Sequence, residues 1–143
     1  MKIREILRRK GHDVVTIGAE RTVLDAVRRL VEYNIGGLVV TEGERPVGII
    51  TERDILRLTA RSPGELGSLE VGATMTRDPI TTDPDADLHK MMGVMTDKRI
   101  RHLPVVEGGS LAGIVSIGDL LNASRQEAVQ ENSHLRKYIH GGP

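Results

Sequence analysis

The chain contains no cysteine, no phenylalanine and no tryptophan, and its only aromatic residues are two tyrosines. Without cysteine there is no disulfide, no thiolate nucleophile and no cysteine-ligated zinc. The lack of aromatic faces removes the stacking platforms on which single-strand and RNA binders hold bases. Charge of either sign is not in excess. The 20 basic and 20 acidic residues cancel, so no global field draws the molecule to nucleic acid or to an anionic membrane. No apolar run approaches the roughly 20 residues of a membrane span. Met1-Lys2-Ile3-Arg4-Glu5-Ile6 lacks the apolar core of a signal peptide. A soluble cytoplasmic protein with neither nucleic-acid nor membrane partner is the expectation.

Signatures of catalysis are missing too. There is no Gly-x-Ser-x-Gly, no His-Glu-x-x-His and no Walker loop. His12, His89, His102, His134 and His140 are scattered, and the last two, six apart, do not share a helix face for a metal. No catalytic residue, no metal site and no catalytic cofactor are expected. The chain reads as a binding module and not as an enzyme.

What the chain does have is a repeat. Gly48-Ile49-Ile50-Thr51-Glu52-Arg53-Asp54 returns as Gly113-Ile114-Val115-Ser116-Ile117-Gly118-Asp119, with the hydroxyls and the aspartates each 65 residues apart. Upstream, Asn34 to Val40 aligns with Ile100 to Val106, and Val14 to Ile17 with Ile80 to Thr82, at an offset of 66. A single deletion in the turn before Leu111 would reconcile the two offsets. Self-similarity on this scale makes the repeat the unit of the fold. Each copy alone, about 50–60 residues, is near the lower edge of what buries a useful core, so two half-domains sharing a core are expected.

Taken in order, Ile3, Ile6 and Leu7 mark a short helix that Gly11 stops. Val14 to Ile17 reads as a strand. From Thr22, the residues Val23, Ala26, Val27, Leu30 and Val31 follow a helical period. Leu38 to Val40 and Val47 to Ile50 are strands about a Glu42 to Arg45 turn, and a helix runs from near Thr51 towards Ala60. Ser62 to Ser68 is rich in helix breakers, and Val71 to Met75 makes one helical turn. The second copy predicts a strand over 80–82 and a helix over 86–98. The Leu88, Met91, Met92 and Met95 stripe of that helix reads as core filler. A hairpin over 103–115 and a long last helix from Asp119 to about Ile139 complete the copy. Leu135, Tyr138 and Ile139 are the apolar positions of its charged end, a surface for a partner subunit or for the module itself. The segments are therefore 1–62, leading helix and first repeat; 63–75, linker; 76–125, second repeat; and 126–143, C-terminal helical extension. Each repeat runs strand, helix, strand, strand, helix, an α/β half-domain with a three-stranded sheet whose open face needs a cover.

Thr51 and Asp54 open a helix, and Thr-x-x-Asp at that point serves as an N-cap. Thr22-Val23-Leu24-Asp25 has the same spacing without the glycine-strand approach, so spacing alone signifies capping. Recurrence at the same point of both copies, at the C-terminal end of a strand entering a helix, adds a ligand-binding reading. A helix N-terminus attracts phosphate, and a carboxylate beside it can accept from two vicinal ribose hydroxyls. Sugar with phosphate means a nucleotide.

On Gly48 to Asp54, Arg101-His102-Leu103-Pro104-Val105-Val106, Gly113 to Asp119 and Asp78-Pro79-Ile80 after Met75-Thr76, the chain resembles a stand-alone pair of cystathionine-β-synthase (CBS) domains over about residues 10–125. The resemblance implies a tandem CBS-domain pair, two β-α-β-β-α half-domains packed through their sheets with pseudo-two-fold symmetry. It also implies two clefts for adenine nucleotides and a likeness to energy-sensing, homodimeric regulators that pair through helices. Residue by residue, it implies that Asp54 and Asp119 hold ribose hydroxyls and that Thr51 and Ser116 contact ribose or phosphate. Asp54 would work with the segment around Thr74 to Ile80 and with Arg101 and His102. Asp119 would work with Lys10 to Thr16 and with Gly36 and Gly37. Adenine would lie against Val15 or Ile80, and Lys10, Arg53, Arg101 and His102 would meet phosphate. Pro104 completes the implied set. Because Gly36-Gly37 stands where the second copy has Arg101-His102, unequal clefts are expected. AMP, ATP and NAD(H) are the implied ligands, with an unidentified protein target to read the change. An S-adenosylmethionine binder and an interaction module with empty clefts are the alternatives.

Overall fold

The computed structural model describes residues 1–140, with side chains as far as residue 133. Its elements in order are α1 (Ile3–Lys10), β1 (Thr16–Gly18), α2 (Val23–Tyr33), β2 (Gly37–Glu42), β3 (Arg45–Thr51), α3 (Glu52–Arg61), α4 (Val71–Thr74), β4 (Thr76–Arg77), α5 (Leu88–Lys98), β5 (His102–Glu107), β6 (Ser110–Ser116) and α6 (Ile117–His140). They form two compact units. One comprises Asp13–Ile80, and the other Met1–His12 with the chain from Thr81 onward.

The first-repeat unit is built on a four-stranded sheet in the order β1-β2-β3-β4. β1 runs parallel to β2, and β2 to β3 to β4 run antiparallel. Leu38, Val39, Val40, Ile49 and Ile50 are buried in the central strands. Val23, Ala26 and Leu30 of α2 and Leu58 of α3 close over the sheet. Val71 and Met75, from the chain after the first repeat, join the same core. The linker is docked rather than loose, because Leu66 and Leu69 carbonyls accept from Leu24 and Val23 N–H at 2.8 and 2.9 Å. Those bonds satisfy two of the first-turn donors that a helix leaves unpaired.

The second-repeat unit is smaller in strand content. β5 and β6 form an antiparallel pair, and Thr82 adds an isolated parallel bridge to Val105. A strand over 80–82 is therefore not formed. Pro79 and Pro84 flank this stretch, and each lacks the N–H that would extend a ladder. β1 also differs from the Val14 to Ile17 expectation, ending at Gly18. The three-stranded sheet expected in each half is four-stranded in one unit and two-stranded with a bridge in the other. The methionine stripe is core: Leu88, Met91 and Met95 are buried, with Leu103, Val105, Val115 and Leu120, and Met92 packs against them. Ile3, Ile6 and Leu7 of α1 complete that core. Val31, by contrast, points to solvent at 77% exposure and does not join the buried stripe of α2.

Register corrects the repeat alignment. Gly37 pairs with Thr51 as His102 pairs with Ser116, and both hairpins shift register at the same step, after Val40 and after Val105. The turns between Glu42 and Arg45 and between Glu107 and Ser110 are equal in length. Both helices that precede the hairpins end on a left-handed residue, Asn34 and Arg99, again 65 apart. The offset is thus 65 from β1 through the aspartates, with no deletion in the turn. Leu103-Pro104 lies in register with Leu38-Val39.

The leading helices keep a different offset. Ile3 N–H donates to the Ala86 carbonyl at 3.1 Å as Val71 N–H donates to Arg21 at 2.8 Å, and Leu88 donates to Met1 as Val23 donates to Leu69. Ile3 and Val71 are thus equivalents 68 residues apart, both fully buried. Each unit is capped by a helix that precedes the other repeat in sequence. The match holds as far as Leu7 and Met75. Beyond that, α1 makes another turn through Lys10, whereas α4 stops and the chain becomes β4.

Candidate functional site

Both aspartates sit at the first turn of a helix that comes directly after a strand. At α3, Thr51 Oγ1 accepts from Asp54 N–H at 3.4 Å, and Asp54 Oδ2 accepts from Thr51 N–H at 2.9 Å. Thr51 Oγ1–H also donates to Oδ2, at 3.1 Å. At α6, Ser116 Oγ accepts from Asp119 N–H at 3.1 Å, and Asp119 Oδ2 accepts from Ser116 N–H at 2.8 Å. The glycines three residues before these hydroxyls, in β3 and β6, are dictated by the close approach of Met75–Thr76 and of Leu7. A Cβ on Gly48 would lie 2.6 Å from Met75 Sδ and 2.7 Å from the Thr76 carbonyl, and one on Gly113 would lie 2.7 Å from a Leu7 methyl.

Capping consumes one oxygen of each carboxylate and leaves Oδ1. Among the described residues, Asp119 Oδ1 accepts no hydrogen bond, and Asp54 Oδ1 meets only Thr76 Oγ1 at 3.5 Å, at the limit of a useful bond. The control cap differs. Asp25 forms the same reciprocal bonds with Thr22, yet its two oxygens also meet Arg21 at 3.2 Å and Arg28 at 3.9 Å. Asp25 is a cap within a surface ion-pair cluster; Asp54 makes no ion pair among the described residues.

The two caps differ in their cations. Lys10, the last residue of α1, donates to Asp119 Oδ2 at 2.7 Å and to the Ile114 carbonyl at 2.8 Å. Burial works to raise the Asp119 pKa, but the Lys10 hydrogen bond, the Ser116 N–H and the Lys10 charge together hold it below the ordinary 3.8. Arg9 hydrogen-bonds the Gln126 side chain, two turns beyond Asp119 on the same face of α6. In the first-repeat unit no such chain end covers the aspartate. Asp54, Arg57, Ala60, Arg61 and Thr74 line an open cavity of about 440 Å³. Arg57 and Arg61 were not among the sequence candidates. Their signal is the spacing of three and seven residues from Asp54, which puts all three on one helix face.

The remaining candidates fall in both units. Val15 and Thr16 lie at β1, where the Val15 carbonyl accepts from Val39 and the Thr16 carbonyl from Arg29. The Gly36 carbonyl accepts from Glu52 N–H at 3.0 Å as the Arg101 carbonyl accepts from Ile117 N–H at 2.9 Å, and Gly37 and His102 open β2 and β5. Gly36, Gly37, Arg53 and Ile80 belong to the first-repeat unit with Asp54; Arg101, His102 and Pro104 belong to the second-repeat unit with Asp119 and Lys10. Arg53 and Arg101 are exposed, and Ile80 is 39% exposed, outside the core. Pro104 is buried, its carbonyl accepting from Thr82 N–H at 3.0 Å. Leu135, Tyr138 and Ile139 lie outside the described side chains. Among the described residues, no group of three His, Asp or Glu could hold a metal, and no helix is long and apolar enough to cross a membrane.

Two α/β units of matching register, each with a hydroxyl–aspartate cap at a strand-to-helix junction, define a tandem-repeat module. The family model of the CBS domain matches the chain twice, over residues 3–61 and 69–126, and the chain belongs to the CBS domain family. It is 42% identical, over 126 residues and 85% of its length, to the mitochondrial CBS domain-containing protein CBSX3 of Arabidopsis thaliana. It spans 61% of that relative's length. Among solved structures, it matches a CBS-domain containing protein from Agrobacterium tumefaciens with a TM-score of 0.84 and 36% identity, covering 87% of this chain and 99% of that one. It also shares the fold of the CBS domain pair of protein MJ0100, solved with 5′-methylthioadenosine and S-adenosyl-L-methionine. That match has a TM-score of 0.78 and 24% identity, over 89% of this chain and 98% of that one.

Proposed function

We propose that this chain is a non-catalytic regulatory module that binds an adenine nucleotide (AMP, ATP or NAD(H)) at its hydroxyl–aspartate grips and passes the signal to a partner by a change in shape. The observation that carries the reading is the second oxygen of each carboxylate, which the caps do not use: among the described residues Asp54 Oδ1 meets only Thr76 Oγ1, at 3.5 Å, and no hydrogen bond is made to Asp119 Oδ1. Each cap uses Oδ2 and presents Oδ1 beside a helix N-terminus, an arrangement suited to a ribose hydroxyl and a nearby phosphate. The Arg21 and Arg28 partners of Asp25 support reading that cap as structural by contrast.

Binding favours whichever conformation holds ligand better, and a partner reads the population. A homodimer through helices fits the open groove of about 580 Å³ between α2 and α3, with Val31 77% and Leu56 70% exposed on it. Light scattering should give twice the chain mass, and Leu56→Asp should halve it.

Two other readings have support. The MJ0100 pair, which shares the fold, was solved with 5′-methylthioadenosine and S-adenosyl-L-methionine, so S-adenosylmethionine belongs in any ligand panel. A module with empty clefts is supported by the Thr22–Asp25 cap, which forms without a glycine-strand approach. A thermal-shift panel separates the three, since a ligand at 100 times its dissociation constant adds about 2.7 kcal/mol. Stabilisation by AMP, ATP, NAD or NADH, lost in the Asp54→Ala/Asp119→Ala variant, is the expected result. Stabilisation by S-adenosylmethionine alone moves the ligand class. No shift with any of them, and a double variant that behaves like wild type, leaves the empty module standing.

A further inference from the structure

α1 and α4 are equivalent as far as Leu7 and Met75, and past those two residues the units diverge. In the second-repeat unit the last turn of α1 sends Lys10 to Asp119 and Arg9 to Gln126. The equivalents of Asp119 and Gln126 in the first-repeat unit are Asp54 and Arg61, at the offset of 65 that the hairpins establish. There α4 has already ended at Thr74 and the chain pairs as β4. Thr76 Oγ1 reaches Asp54 at 3.5 Å, but among the described residues no cation from another segment pairs with it, and the cavity of about 440 Å³ is left open.

The cations in this cavity belong to α3 itself. Arg57 and Arg61 stand one and two turns beyond Asp54, and among the described residues neither makes an ion pair or a side-chain hydrogen bond. Their equivalents in α6 are the neutral Asn122 and Gln126. A helix rises 1.5 Å per residue, so the two guanidinium stems start about 4.5 and 10.5 Å beyond the aspartate. That is the reach of a chain of several phosphates whose ribose is held at Asp54. Guanidinium groups recognise phosphate through paired N–H donors.

We propose that the Asp54 cavity selects an adenosine ligand with an extended polyanionic tail, a nucleoside di- or triphosphate, through Arg57 and Arg61, whereas the Asp119 grip, closed by Lys10, has no such preference. This rests on the nucleotide reading of the two grips. A tail with one phosphate reaches one arginine, and a tail with two or three phosphates reaches both. Discrimination therefore rises with each phosphate at Asp54.

The test is titration calorimetry of the full chain with adenosine, AMP, ADP and ATP. An Asp119→Asn background isolates the Asp54 cavity, and melting curves confirm folding. ATP should bind at least tenfold tighter than adenosine, with affinity falling steeply as salt rises. Arg57→Gln/Arg61→Gln should erase the difference while leaving adenosine binding within twofold. Adenosine and ATP binding equally, both lost with Asp54→Ala, would overturn the polyphosphate inference and leave the ribose grip intact. ATP preference that survives the double arginine variant also overturns it. Binding of none of the four in the wild-type chain sinks the AMP and ATP reading, and the inference with it.

Discussion

The two units share a backbone frame and differ in what their leading helices do at the end. In the second-repeat unit α1 runs on to Lys10, and a cation from outside the repeat neutralises Asp119. In the first-repeat unit α4 stops four residues in, and Asp54 faces an open cavity with two arginines of its own helix. One turn of helix therefore separates an aspartate paired with a lysine from one that faces an open cavity. Similar caps do not make identical surroundings; Asp119 takes its cation from a segment far away in sequence, and Asp54 has those of its own helix.

The largest effect expected in this comparison is on the cores. Leu7→Ala removes a buried side chain that α1 contributes to the second-repeat unit, and should cost about 2–5 kcal/mol in denaturant unfolding. Met75→Ala, its equivalent, is slightly more exposed and should fall at the lower end of that range. Equal mild effects for both would mean the leading helices are not structural caps.

Next come the glycines. Gly48→Ala pushes a methyl onto the Thr76 carbonyl, which is backbone, and should cost about 1–3 kcal/mol. The nearest atoms to a Cβ on Gly113 are the Leu7 side chain, its methyl at 2.7 Å first, which can shift where a carbonyl cannot, so the cost of Gly113→Ala should be smaller. A reversed order would break the equivalence of Leu7 and Met75.

The caps come third. Thr22→Ala and Thr51→Ala should each lower stability by about 1 kcal/mol. Only Thr51→Ala should also reduce the thermal shift given by nucleotide, and a loss in both would erase the distinction between cap and grip.

The smallest effect is that of Lys10→Met. The Lys10 and Asp119 side chains are 37% and 27% exposed, so their ion pair contributes less than about 1 kcal/mol. The depressed Asp119 pKa sets the sign with pH. Its stabilisation is present above the ordinary value of 3.8 and is lost as the pH falls through the lower folded value. Melting temperatures from neutral pH down to about 3 should drop more gently in Lys10→Met than in wild type. An unchanged acid slope would remove Lys10 as the cause.

Much of this was legible in the sequence because it is local. The hairpin strands, the Met stripe of α5 and the reciprocal caps depend on residues within a few positions of one another. The misreadings have physical causes. A slip of one residue between Gly36 and Gly37 looks harmless in letters, yet pairing of Gly37 with Thr51 and His102 with Ser116 leaves no freedom. The stretch over 80–82 has strand-like residues but stands between two prolines. Arg57 and Arg61 escape a reading of the sequence because nothing in an arginine's letter tells whether a carboxylate answers it.

The sequence by itself determined that there are two copies of one α/β unit, each with a hydroxyl–aspartate turn, the two turns 65 residues apart. Hydrophobic periodicity and turn chemistry are enough for that. Only the tertiary structure decided which leading helix caps which core, because the contacts of α1 with β6 and α6 join residues about a hundred positions apart. That choice puts Lys10 on Asp119 and leaves Asp54 open, since a side chain can neutralise a carboxylate only where the fold brings it within a few ångströms.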